Sequence, residues 1–201
     1  MCIRFYNLNN PNAPIFIMFQ KKILFFLLLV SGITQGQTYI KANAVTTLAL
    51  IPNFGIETPI AEKFTFQADV TASFWKSIKN GPFQFVLVIP EVRYHFNSNT
   101  NGFYVGGHIG GGTFKLQKWD YTNTLYYQKG INYVVGGTIG YQKEISKKLA
   151  LDIFIGGGSQ QAFYHGYYLD TNQRYEGAQK YNKSGEWLPY RGGIMLCYKL
   201  D

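Results

Sequence analysis

Phe64-Thr65-Phe66-Gln67-Ala68-Asp69-Val70-Thr71-Ala72-Ser73-Phe74 places an apolar side chain at every even position and a polar one at every odd position. Side chains alternate across a strand with period two, so this stretch has one greasy face and one wet face. A soluble sheet can show the pattern once. Here it recurs with aromatic residues at the strand ends, which predicts a β-barrel whose apolar side meets lipid.

Working outward, eight strand-like segments follow Gln37: Ile40 to Ile51, Asn53 to Ile60, Phe64 to Phe74, Phe83 to Phe96, Phe103 to Lys115, Ile131 to Gln142, Leu149 to Gly158 and Trp187 to Leu200. Strands joined in sequence favour an up-and-down antiparallel barrel. Ala61-Glu62-Lys63, Asn97 to Asn101 and Lys143 to Lys148 are tight and polar, whereas Trp75 to Pro82, Leu116 to Gly130 and Ser159 to Glu186 are longer. Pro52-Asn53 is the short exception on the long-loop rim. The expected fold is therefore all-β: an eight-stranded transmembrane barrel with short periplasmic turns and longer outer loops.

Export is expected as well. Lys21 and Lys22 precede the apolar run Ile23 to Val30, and small or polar residues follow to Gln37. That order is a secretory signal peptide, and the run is too short to span a membrane as a helix. The reading assigns 1–17 to a non-native N-terminal extension, with Met18 as the true start, 18–36 to the signal peptide and 37–201 to the barrel. No Cys stands at the cut, so a lipid anchor is not expected. With the barrel reading, the expected destination is an outer membrane.

Composition agrees with strands. The chain has 16 Tyr, 16 Phe and 22 Gly, with only 15% charged residues. Its formal charge is +8, but the lysines are scattered over turns and loops rather than forming the stripe that nucleic acid requires. Basic loops on an exported barrel suit anionic head groups. Once Cys2 leaves with the leader, Cys197 has no disulfide partner and reads as a small core residue. The paired glycines, such as Gly106-Gly107 and Gly156-Gly157-Gly158, lie inside strands with no helix following, so they do not form a phosphate loop.

Parity assigns the interior. Lys41, Asn43 and Thr47 point inward from the first strand, Glu57 from the second, and Gln67, Asp69, Thr71 and Ser73 from the third. The fourth offers Glu91, Arg93 and His95, and Pro90 reads as a bulge; the fifth offers Tyr104 and His108. Later strands add Asn132, Thr138, Asp152 and Arg191. Lys41, Arg93 and Arg191 thus stand against Glu57, Asp69, Glu91 and Asp152, and buried ions require pairing. Eight strands leave an interior that side chains fill, so a charge-paired plug is expected rather than a wide pore. The turn at Asn97 to Asn101 sets Glu91 opposite His108. That pair could support acid–base chemistry, yet no Ser lies near it and His95 and His165 lack metal-ligand spacing to it. No metal, cofactor or enzymatic activity is expected.

Outer loops carry aromatics: Trp119, Tyr121, Tyr126 and Tyr127 in one, Phe163, Tyr164, His165, Tyr167, Tyr168, Tyr175 and Tyr181 in the longest. Tyrosines with polar tips suit contact with an extracellular glycan or protein, and they equally suit an aromatic girdle. The other expected partners are membrane lipid and lipopolysaccharide, with the chain a monomer and no nucleic acid bound.

Lys41-Ala42-Asn43, Pro52-Asn53-Phe54-Gly55-Ile56-Glu57 and Pro90-Glu91-Val92-Arg93-Tyr94 carry a family likeness. So do Gly102-Phe103-Tyr104-Val105-Gly106, Gly140-Tyr141-Gln142 and Arg191-Gly192-Gly193 through Tyr198. The chain resembles the small outer-membrane barrel family catalogued as domain of unknown function 3575. The resemblance implies a barrel and Gram-negative export, and it brings no catalytic residue or ligand. The ending Tyr198-Lys199-Leu200-Asp201 departs from the terminal aromatic common in such barrels. The expected function is structural or surface-interacting. A lipid-modifying enzyme using His108 or His165, a narrow solute channel and a soluble lipocalin-like barrel are the alternatives.

Overall fold

Alternation written into the sequence becomes eight antiparallel strands in one ring-like sheet in the computed structural model, which describes residues 37–78, 81–97, 100–118, 121–174 and 182–200, without the side chains of 78, 182 and 183. The elements are β1 Tyr39–Asn43, α1 Ala44–Leu48, β2 Asn53–Ala61, β3 Phe64–Ile78, β4 Gly81–His95, β5 Gly102–Leu116, β6 Tyr126–Glu144, β7 Leu149–Tyr168 and β8 Asn182–Lys199. Each strand pairs with its sequence neighbours, and β1 pairs with β8 through Lys41↔Cys197 and Asn43↔Met195. Every strand therefore has partners on both sides, which satisfies backbone groups that an open edge would leave bare. Among the described residues no helix is long and apolar enough to cross a membrane. The extension, signal-peptide and start-site assignments over 1–36 lie outside the described residues.

Faces follow parity. Phe54, Val70, Val92, Ile109, Val135, Ile139 and Ile155 are exposed on the outward side. The inward side buries Lys41, Glu57, Gln67, Asp69, Glu91, Arg93 and Asp152. The fold is thus apolar outside and polar at its centre, the reverse of a soluble ligand-binding barrel. Toward one rim, Tyr39, Tyr104, Ala150, Phe154, Met195 and Cys197 form an apolar cluster. Toward the other, Ile89, Val134 and Phe114 are buried, while Val86 and Val88, just before Ile89 in sequence, face out.

Three expectations change. The first strand stops at Asn43 instead of reaching Ile51, because the Asn43 side chain accepts from the backbone N–H groups of Val45 (3.2 Å) and Thr46 (3.4 Å) and caps α1. An N-cap of this kind stabilises a helical turn at the strand's expense. The Thr47 hydroxyl donates to the Asn43 carbonyl at 2.6 Å, and Thr47 is exposed rather than inside the ring. Second, Pro90 marks no bulge: Val88↔Gly111 and Glu91↔His108 share one register. Shifts occur instead at Pro59/Ala61, Trp75/Ile78 and Gly156/Gly158. Third, strands invade the segments read as loops. β3 runs to Ile78 and β4 begins at Gly81, while β6 and β7 reach back to Tyr126 and on to Tyr168.

Gly193 supports the cap. Its φ is +146°, and a Cβ there would collide with the Asn43 side chain, whose Nδ2 donates to the Gly192 carbonyl at 3.2 Å. Gly193→Ala is expected to cost about 1–3 kcal/mol through backbone strain and the displaced cap. A urea midpoint equal to that of the parent would disprove this account of the β1–α1 corner.

Candidate functional site

The polar centre of the ring is the most developed cluster of chemistry-bearing side chains. Lys41 on β1 pairs with Glu57 on β2 and with Asp152 on β7 at 2.9 Å. Arg93 on β4 reaches Asp152 at 2.8 Å through NH1, Glu57 at 3.6 Å and Glu91 at 3.1 Å. Arg191 on β8 pairs with Asp69 on β3 at 2.5 Å and with Glu91 at 2.9 Å. The network therefore ties six strands to one another through the interior. Burial leaves these charges little water, so their stability depends on mutual pairing.

Neutral groups complete the layer. Gln142 accepts from Lys41 Nζ at 3.0 Å, and Tyr104 donates to Asp152 Oδ1 at 2.8 Å while its ring lies 4.4 Å beneath the Arg93 guanidinium. Asn53 donates to Asp69 at 3.2 Å and Gln67 does likewise at 3.2 Å. The Thr65 hydroxyl donates to Glu57 Oε1 at 2.5 Å, so its contact with His95 Nε2 at 3.0 Å must be an accepted bond. A hydroxyl has one hydrogen, and the network accordingly assigns a proton to His95 Nε2. That N–H also faces Glu57 Oε1 at 3.3 Å. Three cations stand against four carboxylates here, and the His95 Nε2–H adds a further hydrogen-bond donor beside Glu57.

His108 sits opposite Glu91 in the register, yet the two bond elsewhere. His108 Nε2 bonds with the Tyr190 hydroxyl at 2.7 Å and Nδ1 with Thr138 Oγ1 at 3.1 Å, while Glu91 serves Arg93 and Arg191. Both imidazole nitrogens are thus engaged with hydroxyls, and among the described residues no serine shares the contact. Among the described residues no group of three His, Cys, Asp or Glu side chains is placed to hold a metal ion.

Tyr190 is a participant that sequence parity misses, since simple alternation sends it outward once Arg191 points in. The shift between Gly156 and Gly158 turns both side chains inward. Pro189, facing Gly157 there, is the available signal, because proline within a strand marks an edge or a bulge.

The aromatic residues read as loop contacts are differently placed. Tyr126, Tyr127, Tyr164, Tyr167 and Tyr168 stand on the extended ends of β6 and β7 rather than in loops, and Tyr121 occupies a short turn. Tyr127 and Tyr167 stack at 5.4 Å and 18°, and Tyr126 lies 5.4 Å from Tyr168. Cross-strand aromatic pairs of this kind lengthen the hairpin, and Tyr127 is buried by it. Tyr164 packs inward on Phe114 beneath Lys118, whose Nζ is 4.3 Å from the ring. Trp119 and Tyr175 lie outside the described residues.

The model of a family described as protein of unknown function (DUF3575) matches residues 22–200. Neither a curated protein nor a solved structure matches the chain.

Proposed function

We propose, for a chain that belongs to the DUF3575 family, a non-enzymatic role as a sealed outer-membrane β-barrel that presents its projecting hairpin at the cell surface. The observation that carries this reading is the inversion of polarity, with exposed Ile, Val and Phe outside and a paired ionic layer within. In water such an outward face would be a large sticky patch, whereas in hydrocarbon it is at equilibrium. On β6 the outward residues from Tyr141 to Ile131 rise about 34 Å along the strand. Tilted by about 40°, that is a band near 25 Å tall, the height of an outer-membrane barrel's apolar belt. Aromatic side chains lie toward both of its ends, Phe64, Phe103 and Tyr141 at one and Phe74, Tyr133 and Trp187 at the other.

The ion pairs fill the cross-section that a solute would use. The refolded protein is therefore expected to be electrically silent in planar bilayers while migrating as a heat-modifiable band on gels. Steady discrete openings would refute the seal and make Glu91, Arg93 and His108 the lining of a pathway. The surface role falls to the β6–β7 hairpin, which outreaches its neighbours: Tyr126↔Tyr168 and Tyr127↔Tyr167 pair beyond the last β5 partner, Leu116↔Gln128.

A further inference from the structure

Lys115, Lys129 and His165 stand at one register level on three adjacent strands: Lys115 is opposite Lys129, and Lys129 is opposite His165. Pairing is unshifted along β5–β6 and β6–β7, so these odd-numbered positions share the outward face of Ile109, Val135 and Ile155. Immediately below runs the row Thr113, Ile131 and Phe163, where the apolar band ends. Like charges directly opposite one another repel, and no carboxylate occupies any of the three positions. Lys115 is nevertheless held in place, with Nζ 4.6 Å over the Tyr127 ring and donating to Asn172 Oδ1 at 3.4 Å, while Lys129 is exposed. A backbone bridge between Tyr167 and Arg174 brings a further basic residue alongside.

We infer that this row is a docking site for the phosphate of an outer-leaflet glycolipid. The inference rests on the membrane reading above and names the lipid that reading leaves open. Charge complementarity selects an anion, and continuity with the apolar band selects one attached to acyl chains. A headgroup phosphate at this height meets two ammonium groups and an imidazole while its chains lie along Ile131 and Phe163. A free phosphate would gain only the exposed ammonium groups in water, where such pairs contribute little.

The test uses the full chain refolded into phosphatidylcholine vesicles containing bis-phosphorylated lipid A, with the dephosphorylated lipid in a parallel set. Insertion is scored first by heat-modifiable migration, and bound lipid is then measured by native mass spectrometry after extraction. The parent should retain the phosphorylated lipid, and Lys115→Gln with Lys129→Gln should weaken it about 20-fold. Lys143→Gln with Lys147→Gln, on the opposite rim, should retain it as the parent does. Equal retention by parent and the Lys115/Lys129 variant overturns the site. Displacement of the lipid by an equal concentration of inorganic phosphate also overturns it, by assigning the row to a soluble anion. A parent that does not insert at all overturns the membrane reading and the site with it, before any lipid is measured.

Discussion

Arg93→Met is expected to lower the free energy of unfolding by about 3–5 kcal/mol, the range for removing one partner from a buried ion pair. Methionine approximates the length and fills much of the space, so the loss is electrostatic more than steric. Glu57, Glu91 and Asp152 each lose a cation at once, and the Tyr104 ring loses the guanidinium stacked on it. Lys41 continues to serve Glu57 and Asp152, and Arg191 continues to serve Glu91, which keeps the cost inside that range. The check is a urea titration of the refolded protein in detergent, with Arg93→Met, Asp152→Asn and the double variant closing a cycle. Strong coupling between the two positions locates the loss in their contact. A midpoint unmoved by Arg93→Met would mean that the interior charges are solvated and the paired layer is not what holds the ring.

Val135→Arg is expected to cost about 2–4 kcal/mol if the outward face meets hydrocarbon at that level. Val135 is 60% exposed and lies near the middle of the apolar band, between Ile109 and Ser159 on its neighbouring strands. Its value as a test is that the rival environment predicts the opposite. On a water-facing sheet, an exposed valine exchanged for arginine moves stability by no more than about 0.5 kcal/mol. Equilibrium refolding into lipid bilayers reads the difference directly. A parent-like free energy would remove hydrocarbon from that face, whatever the fate of the interior network.

Much of the architecture was legible because strands with one apolar and one polar face carry an alternating pattern. Phe64 to Phe74 could be assigned face by face, and eight strands emerge where eight were read. The pattern fades where neither face is uniformly apolar. Residues Tyr126 to Gly130 and Ser159 to Tyr168 pair as strands through cross-strand tyrosines, with glycine and glutamine between, so alternation gives no warning of them. The α1 turn was hidden for a different reason. Ala44, Thr46 and Leu48 fit a strand's periodicity as well as a helix's, and only the capping geometry of Asn43 separates the two. For the polar centre, parity names the charged residues but not their pairings. Those depend on which strands face each other across the interior, as Arg191 and Asp69 do from β8 and β3. Tyr190 joined them through a bulge, which breaks the parity rule where it and Arg191, two successive side chains, both enter.

The shortest strand is also the seam. β1 has five residues between α1 and the chain segment leading into the ring, and it alone joins the first half of the sheet to β8. Sliding it by one residue would swap its faces and be rejected by polarity at once. Sliding it by two would not, because greasy and wet positions would again coincide. Such a slip, however, carries Lys41 about 7 Å along the seam. Glu57 and Asp152 would then face each other with no ammonium between them. Lys41 thus acts as a vernier mark, distinguishing the true closure from the neighbouring ones that the strand's alternation counts as equivalent.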